Sequence, residues 1–218
     1  SDLLAELLFD AGRFAPALAA YDEAAEGDAD PARRADAAYA ALLARSRLLD
    51  AADAAARPVL QRQQLAAAQR FVLRFDTDTR AAAVLANAAE LQWTLADGPA
   101  ARMLALQVLA RPDAGTDTRR QAHAVIGDVA LASQDPAGAE QAYAQVLALL
   151  PASDTVGQGR YAERLAAAIY RQGEAERSAG RTADAARHFA RVGRQAPNSS
   201  AAPAALYDGA LQLIALKD

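Results

Sequence analysis

Cysteine is absent from this 218-residue chain, which excludes disulfides and thiolate metal sites. Lysine is nearly absent: Lys217 is the only one, and arginine carries the remaining basic charge. Large side chains are scarce, with one Trp, one Met, five Phe and six Tyr. The chain is rich in Ala instead. Such a composition suits thin layers of closely packed helices, because Ala favours helix and lets helix axes approach. No run of about 18 apolar residues occurs, so no membrane-spanning helix is expected. The net charge is −4, and a nucleic-acid binder usually carries a basic stripe. Histidine occurs twice, at His123 and His188. No His-Glu-x-x-His run, Gly-rich phosphate loop or nucleophile elbow is present. These absences point away from catalysis, metals and cofactors. The chain starts without Met and is read as a piece of a longer protein.

What is present is a repeat. Gln121 to Ser133 is read as a helix, Gln134-Asp135-Pro136 as a turn, and Ala137 to Leu149 as a second helix closed by Pro151. A second copy runs to Pro197, with its turn at Ala179 to Thr182 and its second helix over Ala183 to Gln195. Superposing the copies pairs Gly127 with Gly173, Ala139 with Ala185, Tyr143 with Phe189 and Pro151 with Pro197. Each choice has a physical reason. The small residues let the two helices of a pair touch, the aromatic fills the space between repeats, and Pro ends the second helix.

This pattern resembles the tetratricopeptide repeat, whose period is about 34 residues. The resemblance implies an all-α, right-handed solenoid of antiparallel helix pairs: about five pairs and a terminal helix. The units fall near 1–30, 31–78, 79–115, 120–154 and 160–199, with the terminal helix over 200–216, in one continuous domain. The first unit carries Gly12, Phe14, Ala17 and Tyr21 at matching spacings. The third has Ala89 and Ala101, with Ala105 in the aromatic position. Residues 31 to 76 fit least well, with helices expected from Pro31 to Leu49 and Pro58 to Phe75, and a linker of helical composition between them. Excess length between Pro151 and Pro197 is assigned to a loop at Gly157 and Gly159, followed by added helical turns. Ser199 and Ser200 are read as caps of the last helix.

In tetratricopeptide arrays the first helix of each pair lines a concave groove. The register then selects Glu90 and Trp93 with Asn87 at the edge; Gln121, Asp128 and Leu131; and Tyr170, Glu174, Arg177 and Ser178 with Arg171 at the edge. Asp208 and Gln212 are added from the terminal helix. Trp93 either anchors a partner or packs beneath the turn at Asp97-Gly98-Pro99. Arg171, Glu174 and Arg177 share a helix face as a charge-laced or groove wall. Positions that hold chaperone carboxylates in some members carry Ala86, Glu90, Ala124 and Asp128 here. Two acids disfavour that ligand and favour a partner with basic and apolar character.

The run from Ala185 and Phe189 through Ala196-Pro197-Asn198-Ser199-Ser200 to Ala205-Leu206-Tyr207 is similar to a variant common in periplasmic and outer-membrane-associated bacterial proteins. The resemblance implies a non-catalytic scaffold of the cell envelope that binds a protein or peptide without a cofactor. Two alternatives stand beside it: a helical accessory domain of an envelope enzyme or assembly machine, and a cytoplasmic regulatory array. Apolar faces at the ends of the stack are candidates for self-association.

Overall fold

Eleven α-helices account for the order in residues 2–217, which the computed structural model describes, and no strand occurs among them. In chain order they are α1 (Asp2–Asp10), α2 (Phe14–Gly27), α3 (Pro31–Asp50), α4 (Arg57–Arg74), α5 (Ala81–Thr94), α6 (Gly98–Ala110), α7 (Thr116–Ala132), α8 (Pro136–Leu149), α9 (Thr155–Ser178), α10 (Thr182–Gln195) and α11 (Ala202–Ala215). Ser1–Ala114 and Gly115–Asp218 form two compact units, holding α1–α6 and α7–α11. Within each unit every helix packs on the next in sequence, as in a helical solenoid.

Local chemistry sets the helix starts. The Asp97 carboxylate accepts the Ala100 N–H at 3.1 Å, and Asp135 accepts the Gly138 N–H at 2.9 Å, each satisfying an orphan donor of a second helix. Pro99 and Pro136 sit in the first turns of those helices, where a missing N–H costs nothing.

The turns inside four of the five pairs share one construction. Gly12, Ala96, Gln134 and Gly180 all adopt a left-handed φ, between 60° and 75°. At each, two N–H groups fold back onto the preceding helix. In the fourth pair, for example, Gln134 N–H donates to the Leu131 carbonyl and Asp135 N–H to the Ala130 carbonyl. This is the helix-ending motif that favours glycine, met here twice by other residues.

Small and large residues interlock across the first, fourth and fifth pairs. In the first unit Ala5, Ala17 and Tyr21 are buried in one cluster with Ala41 and Ala44. In the second unit Gly127 lies against the Tyr143 ring and Gly173 against the Phe189 ring. Tyr143 and Phe189 are among the most deeply buried large side chains. Ala89, Ala101 and Ala105 are fully buried in the third pair, so Ala105 keeps its buried position without an aromatic ring.

Four local expectations change. α7 begins at Thr116, several residues before Gln121. Residues 52–56 form a turn and bend-free coil, not a continuation of helix. Gly157 and Gly159 lie inside α9, because Asp154 caps it by accepting the Gly157 N–H at 2.8 Å. Ser199 and Ser200 do not cap α11, whose N-cap position is Ala201. Ser199 is buried and donates its hydroxyl to the Ala196 carbonyl, while the Glu163 carboxylate accepts the Ser200 N–H and hydroxyl.

Candidate partner-binding face

Helix ends fix the register of the first helices. The small residue stands five positions before the last residue of α5, α7 and α9, at Ala89, Gly127 and Gly173. The same count back from Ala215 gives Ala210 in α11, whose two following residues form a turn as they do after α5, α7 and α9. Three positions on each helix then share one stripe at i, i+4 and i+7. They are Ala86, Glu90 and Trp93; Ala124, Asp128 and Leu131; Tyr170, Glu174 and Arg177; and Tyr207, Leu211 and Ile214.

In the second unit these helices are joined through side chains. Arg164 of α9 donates to the Asp128 carboxylate of α7, and the Tyr143 hydroxyl donates to the same oxygen at 2.8 Å. The Arg164 guanidinium lies over the Tyr161 ring at 5.4 Å, a cation–π contact that holds it in place. Between α9 and α11 the Tyr170 hydroxyl donates to Asp208, and Arg177 pairs with Asp208 at 3.2 Å. Burial first, then the bond to Asp128, pushes the Tyr143 phenol well above its ordinary range. The bond to Asp208 pushes the Tyr170 phenol up to about 12.

The residues singled out from the sequence are thus placed as follows. Asp128, Tyr170, Glu174, Arg177 and Asp208 lie on linked helices, and four of them take part in the bonds just described. Glu174 is 3.9 Å from Arg177, a long contact beside the Arg177–Asp208 pair. Arg171 is exposed, and Gln121 is half-buried on α7. Asn87, Glu90 and Trp93 lie on α5 of the first unit, with Asn87 and Glu90 exposed and Trp93 half-buried. Sequence reasoning passed over Tyr207, Leu211 and Ile214, which are 66, 42 and 58% exposed. The count from the end of α11 would have found them, but that end is visible only in the structure. It also passed over Arg164, which cancels the charge of Asp128.

A second set of contacts joins α8, α9 and α10. Glu140 accepts from Gln172 at 2.5 Å and from Arg191, which also contacts His188 at 3.2 Å. Burial, then the positive charge of Arg191, holds the His188 imidazole below its ordinary value. Burial does the same at His123, helped by Arg119. Neither imidazole stands in a metal-binding group: among the described residues no cluster of three His, Asp or Glu side chains could hold an ion. No described helix is long and apolar enough to cross a membrane.

Residues 167–199 match the family model of the tetratricopeptide repeat. The chain carries a tetratricopeptide repeat. The matched stretch holds Gly173, Ala185 and Phe189, which are buried in the pair α9–α10, and Pro197, just beyond the end of α10. Tetratricopeptide repeats are protein-interaction modules and generally non-catalytic. No curated protein matches the chain.

Proposed function

We propose that the protein is a scaffold of the bacterial cell envelope that holds a protein segment against the stripe formed by α7, α9 and α11. The observation that carries this reading is the linkage of these first helices by Arg164–Asp128, Tyr170–Asp208 and Arg177–Asp208. A wall braced in this way presents a fixed surface, and fixing a surface before binding lowers the ordering cost of association.

The charges change the partner expected from sequence. Asp128 and Asp208 already have cationic partners, so they do not present free acids. What remains open is exposed Arg171, the edge of Glu174, and the apolar run Tyr207, Leu211 and Ile214. The partner segment is therefore mainly apolar or aromatic, with polar flanks. The envelope assignment rests on the similarity of residues 185–207 to the repeat variant described above. Self-association belongs to the same reading, because Leu206 and Leu213 are 77 and 57% exposed.

One experiment tests these points together. A photo-crosslinking residue is placed at Arg171, Leu211 or Leu206, and at Gln141 or Arg187 as controls, in the full-length protein within its own cells. Adducts at Arg171 and Leu211 that are absent at the controls are expected, in the envelope fraction. Adducts to a second copy at Leu206 would show self-association. Equal adducts at all positions would sink the proposed face, and a purely cytosolic signal would sink the envelope assignment.

A further inference from the structure

The first unit contains a cleft of about 620 Å³ between α2, α3 and α4. It lies between the second helices of two successive pairs and is independent of the face formed by α7, α9 and α11. Its origin is local. Residues 52–56 do not form the left-handed turn used by the other pairs, and α4 buries only Ala68 and Phe71 along its 18 residues. Arg74 of α4 and Glu26 of α2 pair across the cleft at 2.9 Å.

The floor of the cleft is apolar, with Ala41, Leu42 and Phe71, and exposed Leu73 continues it at the edge. Its charged lining is Asp22, Glu26, Arg45, Arg70 and Arg74, three cations against two acids in a chain of net charge −4. Arg45 is paired with Asp22 at 2.6 Å and Arg74 with Glu26. Arg70 is exposed and left over. We propose that this cleft binds a peptide segment in which apolar side chains flank carboxylates.

The volume falls in the range of about 300–1,000 Å³ usual for ligand sites. Exposed ion pairs contribute little to affinity, so the apolar floor supplies most of it and Arg70 selects the sign of charge. A basic segment would find both acids occupied and Arg70 opposed to it. An acidic one gains Arg70 and can share Arg74.

The test is a titration of the isotope-labelled full chain, followed by NMR, with the probe peptide acetyl-Leu-Glu-Phe-Glu-Leu-amide. Saturable shifts are expected at Leu42, Arg70 and Leu73. Arg70→Glu should weaken binding by about tenfold, and replacing both glutamates of the probe by lysine should do the same. Arg70 is exposed, so its variant should melt like the parent. Ala67→Trp, which fills the cleft, should abolish binding. No saturable shifts at millimolar peptide, equal binding of both probes, or binding lost through Arg171→Glu and not through Arg70→Glu would overturn the proposal. The last outcome would leave the α7–α9–α11 face standing.

Discussion

A Cβ built on Gly173 would lie 2.6 Å from the Phe189 ring, and one built on Gly193 would meet nothing within 4 Å. The two glycines sit on facing helices of the same pair, and their alanine variants should change stability in opposite directions. At Gly173 the gain in helix propensity, about 1 kcal/mol, opposes an overpacking cost of about 1–3 kcal/mol. Phe189 is fully buried and cannot step aside. That puts the cost in the upper part of the range, about 2–3 kcal/mol, so Gly173→Ala should destabilise by about 1–2 kcal/mol net. Gly193→Ala should stabilise by about 0.5–1 kcal/mol. Urea unfolding of both variants checks this, and a Gly173→Ala chain as stable as the parent would refute the interlock.

Alkaline stability should depend on Tyr170. Its hydrogen bond to Asp208 comes first among the causes that raise its phenol to about 12, followed by burial and the charges of Asp208 and Glu174, with Arg177 opposing. The folded state then holds the phenolic proton more tightly than the unfolded state does. That contribution is complete below the ordinary value near 10 and is lost as pH rises through about 12. Denaturation midpoints measured across this window should fall, and Tyr170→Phe should flatten the fall. An unchanged slope in Tyr170→Phe would remove Tyr170 from the account.

Within the first unit, α5 should open less readily than α4. That helix buries two residues, whereas α5 buries seven, and it flanks the cleft. Few buried apolar contacts mean low local stability. Native-state hydrogen exchange should show protection in the middle of α4 lower than in α5 by at least about tenfold. Equal protection in the two helices would contradict this.

The helix pairs were legible because their signals are local. Asp135 with Pro136, and Asp97 with Pro99, mark helix starts through bonds made within three residues. The register of α11 was less legible. Asp208 and Gln212 were chosen from its sequence, but its helix end puts Tyr207, Leu211 and Ile214 on the stripe instead. Asp208 serves as the acceptor that ties α11 to α9. Gly157 and Gly159 show a related ambiguity: two glycines suggest a loop, yet the cap supplied by Asp154 and the packing of the rest of α9 outweigh their propensity.

By itself the sequence determined the all-helical class, the pairing of small residues with aromatics, and the spacing that marks the tetratricopeptide repeat. All three follow from periodicity and from contacts between neighbouring helices. Only the tertiary structure decided which charges remain open. Arg164 reaches Asp128 across 36 residues and Tyr170 reaches Asp208 across 38, and no helical period predicts such partners. Charge counted along a helix face treats each acid as free. Once the helices are stacked, the acids brace the wall, and Arg171, Tyr207, Leu211 and Ile214 are left exposed.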